Sequence, residues 1–123
     1  MNAAALTTRL AELIDAHDWD GLPSVLHPDF SCSFVHTGET FDRDQWVRLN
    51  ADYPGFKRFV IEDLVASGDR AVLRGRVTGT SPDGGEQVFG VASFVTVADG
   101  LIHELTEVWT DVDQAPPAGT RGQ

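Results

Sequence analysis

FKRFVIEDLVASGDRAVLRGRVTGTSPDGGEQVFGVASFVTVADGLIHELTEVWTDV, residues 56–112, contains four long runs of strand-forming residues divided by turn signals. The runs are Phe56 to Ser67, Arg70 to Thr80, Gln87 to Val97 and Leu101 to Val112. Gly68-Asp69, Ser81-Pro82-Asp83-Gly84-Gly85 and Asp99-Gly100 separate them. Turns at this even spacing, two of them with Asp-Gly hairpin dipeptides, predict an antiparallel meander. Ala71, Leu73 and Val77 stand beside Val72, so apolar residues occupy more than one face of a strand. A sheet covered on both sides explains that pattern better than one open to water.

Upstream the period changes. Leu6, Leu10, Leu13, Ile14 and His17 recur at helical spacing, with Arg9, Glu12 and Asp15 facing the other way. Asp20 is expected to cap a second, short helix, with Pro23 in its first turn and Leu22, Val25 and Leu26 buried. His27-Pro28-Asp29 should break that helix. Phe30, Cys32, Phe34 and His36 then alternate with Ser31, Ser33, Val35 and Thr37, the period of a strand. After a turn at Gly38-Glu39, Asp42 and Gln45 form a capping-box variant that should open a third helix. Trp46, Leu49 and Tyr53 lie on its apolar face and Pro54-Gly55 ends it. Residues 1–113 are read as one domain, and the Pro-, Gly- and Ala-rich tail 114–123 as disordered.

The order is therefore helix, helix, strand, helix, four strands: an α+β fold with N-terminal helices packed on a strongly curved, mostly antiparallel sheet. Such a sheet curls around its helices and leaves a tapering, cone-shaped hollow suited to a small ligand. Composition narrows the partners. A formal net charge of −10 over 123 residues repels phosphate backbones and anionic lipid, so neither nucleic acid nor membrane is expected as a partner. One cysteine allows no internal disulfide, and the N-terminus lacks the basic and apolar regions of a signal peptide; a cytoplasmic protein is expected.

Four stretches together resemble the nuclear transport factor 2-like superfamily and, within it, the SnoaL-like, ketosteroid isomerase-like group. They are Asp20-Gly21-Leu22 through His27-Pro28-Asp29-Phe30, Gly38 through Asp42-Arg43-Asp44-Gln45-Trp46, Gly68 through Arg74 with Gly79-Thr80, and Asp99-Gly100-Leu101-Ile102 through Glu107-Val108-Trp109-Thr110-Asp111. The resemblance implies the cone-shaped fold and a homodimer paired through the outer face of the sheet. It implies no single activity, because the fold serves isomerases, cyclases, dehydratases, hydrolases and pure binders. The catalytic aspartate of the ketosteroid isomerases has no match by type, since Phe34, Val35 or His36 stands there. The Arg-x-Asp pair of limonene epoxide hydrolase becomes Arg74-x-Arg76, without its carboxylate.

Chemistry should come from polar groups that share a face with core residues. His36 follows Phe34 on one strand face and is either a general base or a rim histidine. Arg74 and Arg76 alternate on β-structure; alignment with the isomerases puts them on the concave side, and the bland alternative is a solvated or dimer-facing surface. Glu107 shares a face with Leu105. Inside an apolar cone it must either pair with Arg74 or Arg76 or shift its pKa toward neutrality. Two readings stay open. One is an enzyme without cofactor acting on a small apolar or amphipathic molecule, with His36 and Glu107 moving protons and Arg74 as electrostatic stabiliser. Phe34, Trp46, Tyr53, Arg76 and Trp109 would contact the ligand. The other is a non-catalytic binding or dimerisation module. No metal-like spacing links His17, His27, His36, His103 and Cys32, and no nucleophile elbow or phosphate loop is present.

Overall fold

Residues 1–122 are described by the structure, a computed structural model. Helix α1, Ala3–Asp15, starts at Asn2, whose side chain accepts the Ala5 N–H at 2.9 Å. Its buried stripe is Leu6, Leu10, Leu13 and Ile14. His17 is not on that stripe. It adopts the left-handed conformation (φ 57°), its N–H bonds to the Ile14 carbonyl and the Asp18 N–H to that of Leu13, closing the helix as a Schellman motif. The His17 ring turns away to stack on Phe56, 4.8 Å between centroids.

The second expected helix is a single 3-10 turn, Leu22–Val25, with Leu22 and Val25 buried as the pattern requires. Asp20 does not cap it. Asp18 accepts the Gly21 N–H instead, and four residues are too few for an α-helical ladder. Strand β1, Leu26–Phe34, begins at once, so His27-Pro28-Asp29 lies inside a strand rather than in a break. Pro28 offers no N–H to a ladder, and the pairing of β1 shifts register between Leu26 and Ser31. The short strand β2, Thr40–Asp42, was not legible in the sequence, where three residues give no period; it pairs back on β1. Helix α2, Arg43–Asp52, has the expected capping box between Asp42 and Gln45 in both directions.

The four remaining strands are β3 (Phe56–Ser67), β4 (Arg70–Thr80), β5 (Glu86–Ala98) and β6 (Leu101–Asp111). Their boundaries fall within a residue of the pattern at 56–112. The six strands form one curved sheet in the order β2-β1-β6-β5-β4-β3, antiparallel except where β1 runs parallel to β6. The β5–β6 turn places both Asp99 and Gly100 at positive φ, the geometry that suits the right-handed twist of a tight hairpin. Register shifts at Lys57 and Glu62 in β3 and at His103 in β6 add one unpaired residue each and bend the strands.

Helix α1 lies across β3 to β6 on the concave face, and α2 lies over β1 and β2. The core is the α1 stripe, Leu22, Val25, Leu26, Phe30, Cys32, Trp46 and the inward residues of β4 to β6. Asp15, at the end of α1, clamps the layers: it accepts from Arg58 Nε at 2.8 Å, a second Arg58 nitrogen at 3.1 Å and the Phe59 N–H at 2.9 Å. Residues 114–122 contain no helix or strand, Gln114 folds back onto β6 through Thr110 and Asp111, and Gln123 lies outside the described residues. Among the described residues no helix is long and apolar enough to cross a membrane.

Candidate functional site

Between the two helices and the concave face lies a cavity of about 440 Å³. That is within the range of small-ligand sites. Its walls are aromatic: Trp19, Phe34, Trp46, Tyr53, Phe56, Phe59, Phe89 and Trp109 all contribute. The exposed side chains His36, Tyr53, Asp111 and Gln114 mark its mouth. Glu107, only 5 % exposed, marks its floor.

Glu107 reaches that floor because of register. It stands opposite Ser93 on β5 and Phe34 on β1, and Ser93 stands opposite Leu73 on β4. Cross-strand neighbours on one face touch, so the Ser93 hydroxyl donates to Glu107 Oε2 at 3.1 Å. From above, Trp46 Nε1 on α2 donates to Oε1 at 3.2 Å, and from β1 the Cys32 thiol donates to the same oxygen at 3.6 Å. The capping box of α2 therefore has a consequence at the site, since it fixes the helix that presents Trp46.

Burial pushes the Glu107 carboxyl above its ordinary range, and the donors from Trp46, Ser93 and Cys32 offset that only in part. Burial also raises the Cys32 thiol, helped by the Glu107 charge, which keeps it an un-ionised donor. The Trp109 indole faces the same carboxylate from outside hydrogen-bonding geometry. Its buried N–H has no partner among the described residues. A buried unmatched donor at a cavity wall is an opening for a ligand acceptor.

The other sequence candidates separate. Phe34, Trp46, Tyr53 and Trp109 line the cavity with Glu107. Trp46 is 1 % exposed, whereas Tyr53 closes α2 at the mouth and packs edge-on to Phe89. His36 is not on the strand. Phe34 is the last strand residue, and His36 sits in the following turn, exposed, with its ring stacked on Phe34 at the rim. Arg74 and Arg76 are not concave: Leu73, Gly75 and Val77 fill the inward positions of β4, and both arginines point outward. Arg74 pairs there with Glu62 at 3.0 Å. Neither guanidinium reaches Glu107, so the expected ion pair does not form, and the single-residue alternation of β4 is the reason. Among the described residues no group of three or more His, Cys, Asp and Glu is arranged to hold a metal ion.

Three features escaped the sequence reading: Ser93, the Phe59–Phe89 wall and Trp19. Ser93 had a signal, a polar residue between Val91 and Val95 on an apolar face. The aromatic wall had none, because Trp19 and Phe56 meet only through the bend after α1.

The SnoaL-like domain family matches residues 7–105. Among solved structures, a candidate ketosteroid isomerase from Kribbella flavida superposes with a TM-score of 0.81 at 24 % identity, covering 94 % of this chain and 82 % of that one. IdmH, a candidate polyketide cyclase from Streptomyces antibioticus, gives 0.77 at 21 % identity over 89 % and 92 %. An NTF-2 like protein of unknown function from Burkholderia xenovorans gives 0.76 at 16 % identity over 92 % and 86 %. At these identities the likeness shows the fold. No curated protein matches the chain in sequence.

Proposed function

Since the chain belongs to the SnoaL-like domain family, we propose that its cavity binds a small, mostly apolar molecule bearing a carbonyl, and that Glu107 moves a proton on it without a cofactor. The observation that carries this reading is a buried carboxyl of raised pKa on the cavity floor, beside an indole N–H that lacks a partner. A raised pKa makes the carboxylate a stronger base than a solvated one. It takes a proton from a carbon next to the carbonyl, and the carbonyl oxygen, gaining charge, accepts from Trp109 Nε1. Returning that proton to a different carbon completes an isomerisation. Attack of the carbanion on a second carbonyl of the same molecule, whose oxygen then takes the proton back from Glu107, completes a cyclisation. The isomerase and cyclase descriptions of the Kribbella and Streptomyces structures accord with both outcomes.

A binding module without catalysis is the second reading. It is favoured by the outward arginines and exposed His36, which leave Glu107 the one buried ionisable group of the cavity wall among the described residues. A thermal-shift screen of aromatic ketones, followed by turnover assays, separates the two. With Glu107→Gln, an enzyme keeps ligand stabilisation and loses turnover. Stabilisation by ketones with no turnover in wild type leaves the binding module. A wild type that no ketone stabilises removes both.

The outer sheet face supports a homodimer as part of this proposal. Val65, Val72 and Phe94 are cross-strand neighbours on β3, β4 and β5, all exposed, with Val60 and Val108 nearby. Arg74 and Arg76 beside Glu62, Asp63 and Glu104 give that face both signs of charge, which a second copy can match. Sedimentation equilibrium should find a dimer in wild type and a monomer in Phe94→Asp. A monomeric wild type removes this part.

A further inference from the structure

We infer that Gly75 fixes how far the Phe59 ring lies down on the sheet, and so selects ligands by size; this rests on the cavity-binding reading above. Gly75 is in the middle of β4, on the inward face between Leu73 and Val77. Its cross-strand neighbours are Ile61 on β3 and Val91 on β5, and Val91 in turn faces Trp109 on β6. That row lies between two others. On one side is the floor, Leu73, Ser93 and Glu107; on the other is the wall toward the mouth, Phe59, Val77 and Phe89.

A glycine inside a strand forgoes packing and needs a reason. Gly75 is not among the positive-φ residues, so conformation is not the reason. Space is. A Cβ at Gly75 would lie 2.9 Å from Phe59 Cζ, 3.3 Å from Phe59 Cε1 and 3.2 Å from Val91 Cγ1. The Val91 side chain is β-branched and stiff. The Phe59 backbone is held as well, by its N–H bond to Asp15 and by the neighbouring Arg58–Asp15 pair. What can yield is the Phe59 ring, and it forms part of the cavity wall. Any side chain at position 75 therefore drives the ring into the cavity, between the carboxyl floor and the mouth. The narrowing excludes long, flat ligands before it affects short ones.

The test uses ketones that share one head group and differ in ring number: acetophenone, acetylnaphthalene and acetylanthracene. In Gly75→Ala, acetylanthracene affinity should fall by about tenfold or more while acetophenone changes little, the scale expected when a pocket loses the room of one carbon. Adding Phe59→Leu to Gly75→Ala should restore the larger ketone. Phe59→Leu alone should favour acetylanthracene over acetophenone relative to wild type, which keeps the inference testable should Gly75→Ala fail to fold. An equal loss for all three ketones, or no rescue by Phe59→Leu, overturns size selection. A crystal structure of Gly75→Ala separates this from failure of the cavity reading. If wild type binds none of the ketones, ligand binding and size selection both fall, yet a displaced Phe59 ring still assigns Gly75 its packing role. An undisplaced ring overturns that role whatever binds.

Discussion

Two adjoining rows of the sheet break the apolar-in, polar-out rule in opposite senses. The inner row, Leu64, Leu73, Ser93 and Glu107, places a buried carboxyl on the cavity floor. The next row, one residue along on the outer face, is Val65, Val72, Phe94 and Thr106, and it leaves three large apolar side chains exposed. The inner departure finds its partners within the chain, because Trp46, Ser93 and Cys32 all donate to the carboxyl. The outer departure finds none among the described residues. A buried polar group left unmatched destabilises the fold, whereas an exposed apolar patch is tolerated until something covers it. The inner row is therefore a site completed by its own fold, and the outer row is an apolar surface that no described residue covers.

The largest test of that contrast is Trp46→Ala. It should cost about 3–5 kcal/mol in urea unfolding, because it opens a cavity in the core and also strips a donor from Glu107. A cost near that of a surface substitution would mean that the inner row does not depend on α2. Next is pH. Burial holds the folded-state pKa of Glu107 above its unfolded value. Its contribution to stability is therefore whole below the unfolded carboxylate range and is lost as pH rises through the folded pKa. Glu107→Gln should remove that decline, so that the unfolding midpoints of wild type and variant diverge with rising pH. Parallel curves would show that burial does not govern the group.

Ser93→Ala should cost about 1–2 kcal/mol, since it leaves one carboxyl oxygen without its donor. It should also push the decline of stability to higher pH. If stability and its pH dependence are both unchanged, the 3.1 Å contact does not hold the carboxyl. The smallest effect belongs to the outer face. Arg74 is well exposed and pairs with Glu62 in water. Arg74→Ala should shift stability by within about 0.5 kcal/mol and leave ketone binding untouched. Loss of binding in that variant would return the arginine to the site.

The residues that misled are as instructive as those that did not. The four long strands were legible because each combines β-branched residues with turns whose backbone demands glycine or aspartate. Glu107 and Trp109 could be nominated from alternation about Leu105. Arg74 could not be placed, because alternation says which residues share a face and not which face is inner. The same alternation carries His36 onto the strand although it lies two residues past its end, since nothing local shows that β1 stops at Phe34. Ser93 was visible as a polar residue in an apolar run, but its task depends on a partner 14 residues away.

By itself the sequence determined the α+β class, the capping-box start of α2 and the boundaries of the last four strands. Those features follow from interactions among residues close together in the chain, such as periodic side-chain placement, caps and turn φ. Tertiary structure decided which face of β4 is concave, which donors surround Glu107 and how much room Gly75 leaves for Phe59. Each of these depends on strand register and on the bulges in β3 and β6. Those are set when distant segments bury their apolar faces against one another, and no local window of sequence contains that choice.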